Sequence, residues 1–159
     1  MSDAFHKLTL ETHKLKWEDD LPFSLDSNDI FFQDDALDEI EHVFLEPNLI
    51  HNRILEDTNL VIGEIGFGFG LNFLSTCKSW VKNSNNGLLT FFSIDHKVPT
   101  KTEIKRLFKK FEILSDLEDE FFESFDPIHN GINKFFFSNW NVELILYVGD
   151  VIDAIRSLN

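Results

Sequence analysis

Three glycines at alternate positions, Gly66, Gly68 and Gly70, stand within the string Gly63-Glu-Ile-Gly-Phe-Gly-Phe-Gly-Leu-Asn-Phe73. Glycine accepts positive φ, and its missing side chain lets a ligand touch the main chain. The preceding Asn59-Leu-Val-Ile-Gly-Glu-Ile65 is short, apolar and β-branched, which predicts a buried strand. After the glycines, Leu71, Phe73, Leu74, Cys77 and Trp80 recur at helical spacing, so Leu71–Val81 is expected to pack on a sheet. A strand, a glycine turn and a helix start together leave N–H donors free. In open α/β sheets this is the place where a nucleoside cofactor lies across the strand ends.

The spacing bears on which cofactor. A dinucleotide site uses Gly-x-Gly-x-x-Gly, with a pyrophosphate on the helix N-terminus. Here the third glycine comes one residue early, and Glu64 sits two residues before the first. A carboxylate there repels a pyrophosphate but suits a cationic amino group. S-adenosylmethionine carries an amino group and a sulfonium and no phosphate, so the pattern favours it. The alternatives are a nicotinamide- or flavin-binding oxidoreductase and a glycine turn with no ligand. Asn72 belongs to the same block. Asp95, about 25 residues further on, ends a second expected strand and can accept hydrogen bonds from both ribose hydroxyls. Asp150, in Tyr147-Val-Gly-Asp150, suits either an adenine amino group or an N-cap for the next helix. The expected cofactor-binding set is therefore Glu64, Gly66, Gly68, Gly70, Asn72, Asp95 and Asp150.

Other elements position these residues. Leu37–Leu45 has helical spacing and stops before Pro47. Leu8–Leu10 and Leu15–Trp17 are expected to pair as a hairpin, and Pro22–Asp29 reads as a loop. Leu88–Ile94 and Val142–Val148 are further strands, and Asn83–Gly87 has turn chemistry. Lys101–Ile113, Ser115–Phe125 and a segment before Asn141 are expected helices, and Val151–Leu158 is the last. Alternating strands and helices imply a parallel sheet with helical crossovers. Residues 1–58 then form an N-terminal extension, and 59–159 the first part of a Rossmann-like domain.

Composition narrows the partners. The formal net charge of −14 argues against sequence-independent nucleic-acid binding by this chain, which depends on neutralising phosphates. Asp116, Glu118, Asp119, Glu120, Glu123 and Asp126 are read as a solvated helix face. A single cysteine, Cys77, allows no internal disulfide and no Cys-rich metal site. No signal peptide is visible, and the longest apolar run is too short to span a bilayer. A cytoplasmic protein with no membrane contact is expected.

The block Gly63–Leu74 resembles the cofactor motif of the tRNA 5-methylaminomethyl-2-thiouridine methyltransferases, the activity of the N-terminal domain of the bifunctional MnmC family. Trp17 with Pro22-Phe-Ser24, Asp29-Ile-Phe-Phe32, Leu37-Asp-Glu39, Val43-Phe-Leu45, Asn48, Arg53, Phe92-Ser-Ile-Asp95 and Gly149-Asp150 resemble other family blocks in order. The resemblance implies a Rossmann-like class I S-adenosylmethionine-dependent methyltransferase fold acting on the aminomethyl group of a wobble uridine, with tRNA as partner. It also implies a C-terminal FAD-dependent oxidase domain in the bifunctional form. Phe69, Phe31, Glu46-Pro47 and Asp95 depart from the family's usual residues. The family continues with a fourth strand and an Asp-Ala-x-hydrophobic-hydrophobic-Asp-Gly-Phe block, whereas this sequence stops at Asn159. The expectation is an incomplete sheet with a bare strand edge, self-association, and no methyl transfer by this chain alone, with a non-catalytic remnant or interaction fragment as the alternative reading. No catalytic residue is assigned, and His96 is read as a surface histidine.

Overall fold

A computed structural model describes residues 10–56, 59–83 and 87–157. The N-terminal part opens with a small antiparallel sheet, β1 (Leu15–Glu18), β2 (Leu21–Ser24) and β3 (Asp29–Ile30). Asp19 and Asp20 both take positive φ, 48° and 60°. This is the two-residue turn geometry that matches strand twist. It pairs Trp17 with Pro22 and Leu15 with Ser24. β1 thus pairs forward, and Pro22–Ser24 is strand where a loop was expected. Leu8 and Thr9, from the expected hairpin partner, lie outside the described residues.

Helix α1 (Ala36–Ile40) runs into a wide turn over Glu41–Leu45, where the Glu46 N–H donates to the Glu41 carbonyl at 2.9 Å. Helix α2 (Ile50–Glu56), not foreseen from the sequence, follows. It buries Ile50 and Ile54.

The main sheet has the order β4 (Asn59–Ile65), β5 (Leu88–Asp95), β7 (Val142–Val148), β6 (Gly131–Phe137). The first three are parallel, with Ile62 beside Phe91 and Phe91 beside Leu144. β6 is antiparallel to β7, so the sheet is mixed. This corrects the helix expected before Asn141: Asn133, Phe135 and Phe137 point inward while Lys134 and Phe136 point out, a period of two. β4 is an edge strand rather than a fully buried one. Leu60 and Ile62 are buried, but Val61 and Ile65 are 65% and 74% exposed.

Helix α3 (Leu71–Asn83) covers one face through Phe73, Leu74, Cys77 and Trp80. Residues 84–86 of the expected turn lie outside the described residues. Helix α4 (Lys101–Lys110) starts at a capping box, in which Thr100 and Glu103 satisfy each other's backbone N–H groups. A tighter helical turn, Glu112–Leu117, and α5 (Glu118–Ser124) replace the longer helices expected there. Glu120 departs from the solvated face assigned to its cluster. It is buried, and its carboxylate accepts from the Asn139 backbone N–H at 2.9 Å and from the Asn139 amide. Helix α6 (Val151–Ser157) closes the described chain. Among the described residues, no helix is long and apolar enough to cross a membrane.

Candidate functional site at the strand ends

The C-terminal ends of the three parallel strands are tied together by backbone. The Gly66 N–H donates to the Ile94 carbonyl at 2.7 Å, and the Gly149 N–H to the Asp95 carbonyl at 2.8 Å. The glycine loop, Asp95 and the Gly149-Asp150 turn therefore stand at one edge of the sheet. Across this edge lies the β2–β3 turn. A cleft of about 330 Å³ opens between them, lined by Ser27, Asp29, Ile30, Phe31, Gly66, Gly68 and Asp95.

The three glycines serve different needs. Gly66 has φ +96°, and a Cβ there would meet nothing within 4 Å, so its Cα faces open space. Gly68 has φ +54° and packs loosely toward Phe31. Gly70 has φ +76° and is buried; a Cβ there would stand 2.7 Å from Cζ of Phe67. The packing of Phe67 is thus enough to require Gly70.

Asp95 organises the loop. One carboxylate oxygen accepts from the Gly68 N–H at 2.7 Å, the other from the Lys97 N–H at 3.3 Å. A carboxylate offers about four lone-pair sites, so two remain for hydroxyls in the cleft.

Glu64 sits deeper. Its oxygens accept from the Asn72 amide at 3.1 Å and the Ser93 hydroxyl at 2.9 Å. Burial raises its carboxyl to about 7, the two hydrogen bonds oppose that rise, and nearby Asp95 adds to it. A cation placed here would restore the charged form. Asp150 caps α6: its Oδ1 accepts from the Ile152 N–H at 2.7 Å. That is the capping alternative, and it leaves Oδ2 uncommitted among the described residues.

Of the expected set, Gly66, Gly68 and Asp95 line the cleft. Asn72 lines a neighbouring cavity and reaches Glu64. Sequence reasoning missed Ser93 as a partner of Glu64, and Ser27, Asp29 and Phe31 as the opposite wall. The Asp29–Phe32 block was the available signal. His96 is exposed, as expected. Among the described residues, no group of three or more His, Cys, Asp or Glu side chains could hold a metal.

No family model matches the chain. Curated proteins do. Against the tRNA 5-methylaminomethyl-2-thiouridine biosynthesis bifunctional protein MnmC of Leptospira borgpetersenii (strain JB197), identity is 35% over 151 residues, 91% of this chain. Against the MnmC of Marinobacter nauticus it is 30% over 157 residues, and against that of Legionella pneumophila (strain Corby) 32% over 154. The chain is a relative of MnmC. It spans only 23% of the Leptospira MnmC and 25% of the Marinobacter one. Among solved structures, MNMC2 from Aquifex aeolicus superposes with a TM-score of 0.59 at 18% identity, over 92% of this chain and 45% of that one. This likeness establishes a shared fold.

Proposed function

We propose that the chain forms the S-adenosylmethionine-binding part of a methyltransferase that modifies the aminomethyl group of a tRNA wobble uridine. The observation that carries this reading is Asp95. Its carboxylate holds the glycine loop through Gly68 and still has lone pairs facing the cleft. The MnmC relatives supply the tRNA part of the reading, since biosynthesis of a modified tRNA uridine is what their name states. The cofactor would supply an activated methyl group.

Each residue then has a task. Asp95 accepts from the ribose hydroxyls, with Gly66 giving the sugar room at the main chain. Glu64, oriented by Asn72 and Ser93, takes the ammonium of the amino-acid end. Asp150 offers its second oxygen to the adenine amino group while the first caps α6. Methyl transfer is an in-line displacement, and fixing the donor in this way can contribute about 7–11 kcal/mol by positioning. The tRNA would be held by contacts other than net charge, which is −14. By the same resemblance, an FAD-dependent oxidase region would belong to a bifunctional protein of this type.

Titration with S-adenosylmethionine and, separately, NADH tests the reading. Binding of the first, lost in Asp95→Ala, is expected. Binding of NADH alone would replace it with a nicotinamide-dependent oxidoreductase.

A further inference from the structure

Lys97, two residues beyond Asp95, is bonded at all three of its polar groups. Its backbone N–H donates to Asp95 Oδ1 at 3.3 Å. Its carbonyl accepts from His13 Nε2 at 3.1 Å. Its ammonium donates to Asp26 Oδ2 at 3.1 Å and lies 3.8 Å from the Glu11 carboxylate. One residue thus joins Asp95 to the N-terminal segment and to the β2–β3 turn. Asp26 is itself tied into that turn. It accepts from the Lys14 N–H at 3.2 Å, while the Leu25 N–H donates to the Lys14 carbonyl at 2.8 Å and the Ser27 N–H to Ser24 Oγ at 3.1 Å. Ser27, Asp29, Ile30 and Phe31, which follow Asp26, form one wall of the cleft.

Opposing effects set the position of this wall. The Lys97–Asp26 pair draws it in. The Lys97 side chain is 18% exposed and that of Asp26 30%, so solvent screens this pair less than an ordinary surface bridge. Hydrogen bonds from the Lys14 N–H and the Lys97 ammonium hold the Asp26 carboxyl below its ordinary value, so it is charged at neutral pH. Phe31 adds edge-to-face contacts with His13 at 4.7 Å and Phe69 at 5.2 Å. His13 works the other way. The Lys97 carbonyl can only accept, so in the neutral ring Nε2 carries the hydrogen and Nδ1 is an acceptor. Nδ1 is buried with no partner among the described residues, which costs free energy and opposes docking.

We infer that Lys97 is a positioning residue of the donor cleft. Its ammonium holds the wall formed by residues 27–31 against Gly66 and Gly68, while its N–H orients the Asp95 carboxylate. The inference rests on the reading of the cleft as the S-adenosylmethionine site. A ligand bound through Asp95 then depends on a side chain that takes no part in lining the cleft. Breaking the ion pair leaves the wall to be ordered at the moment of binding, and that cost falls mainly on the dissociation rate.

The test breaks the pair from each side. Lys97→Met removes the ammonium and keeps the backbone bonds; Asp26→Asn removes the charge and keeps an acceptor for Lys14. Each is expected to weaken S-adenosylmethionine binding at least about fivefold, chiefly through faster dissociation. The double variant should lose no more than either single one, because both break the same interaction. Lys97→Arg should restore most of the affinity. In the ligand-free chain, amide hydrogen exchange should rise over residues 26–31 in both single variants and stay unchanged in α3. Unchanged affinity in Lys97→Met, losses that add in the double variant, or no rescue by Lys97→Arg overturns the inference. Exchange that rises equally in α3 also overturns it, because Lys97 would then support the fold as a whole. If the wild-type chain fails to bind S-adenosylmethionine, the reading of the cleft is refuted, and the exchange pattern alone decides whether Lys97 holds the wall.

Discussion

The backbone N–H of Gly68 donates to the carboxylate of Asp95 across 2.7 Å, so the glycine loop and the end of β5 form one unit. A hydrogen bond to a charged acceptor contributes about 1.5–3 kcal/mol when well buried. Asp95 is partly exposed, so the lower part of that range applies. Asp95→Ala is expected to lower stability by about 1.5 kcal/mol and S-adenosylmethionine affinity by more than about tenfold. Asp95→Asn, which can still accept from Gly68, should keep most of the stability and lose part of the affinity. Chemical denaturation and calorimetric titration of both variants separate the two roles.

Gly66 and Gly70 should respond differently to the same substitution. Both have positive φ, which strains alanine by roughly 1–2 kcal/mol. At Gly70 the new Cβ would also collide with the Phe67 ring, an overpacking penalty of about 1–3 kcal/mol more. Gly70→Ala is thus expected to destabilise most. Gly66→Ala meets open space in the protein but narrows the cleft, so its larger effect should fall on cofactor affinity. Thermal melts beside binding isotherms check this, and equal melting shifts in the two variants would contradict it.

Glu64 gives the stability a pH dependence. Its carboxyl is raised from 4.5 to about 7 in the folded chain, so between these values the folded state binds more protons than the unfolded one. Stability from this group is therefore present at low pH and lost as pH rises toward 7, by about 3 kcal/mol at most at 1.36 kcal/mol per pKa unit. Glu64→Gln should flatten the slope over that window. If Glu64 meets the cofactor ammonium, S-adenosylmethionine binding near pH 7 should release a proton and strengthen as pH rises. Calorimetry in buffers of different ionisation enthalpy reads that release, and its absence would remove Glu64 from the binding set.

Legibility in the sequence followed the strength of the local pattern. The β4–glycine–α3 unit was readable because glycine spacing and two hydrophobic periods agree there. β6 was not. In Asn133-Lys-Phe-Phe-Phe137 the outward position 136 is also phenylalanine, which hides the alternation. The bare edge of β4 was expected, but the exposure of one of its faces could not be read, because Val61 and Ile65 are core residues by type and only the fold leaves that face of the sheet open. Glu120 looked solvated by its company of acids, whereas its partner Asn139 is far along the chain. Asp95 was found from its distance to the glycines, but its bond to Gly68 needed the fold. Ser27 and Phe31 carry no chemistry by type, and only the position of the β2–β3 turn brings them to the cleft.

The edge strand makes the last prediction. Among the described residues, β4 pairs only with β5, and its outward side chains include Val61 and Ile65. The same open face of the sheet carries Ile132 and Phe136, 45% and 54% exposed. An apolar strand with free N–H and C=O groups is a template for pairing with another chain, and natural edges are blunted by charges such as lysine. Along that face β4 carries Asn59, Val61, Gly63 and Ile65, with no charge among them. The chain is therefore expected to self-associate at micromolar concentration and to bind an apolar dye. Val61→Lys with Ile65→Lys should shift it toward monomer in analytical ultracentrifugation and lower dye binding. Because both side chains already lie in solvent, the substitutions should change stability by no more than about 0.5 kcal/mol. A wild-type chain that stays monomeric under the same conditions would show that this edge is protected by a device other than charge.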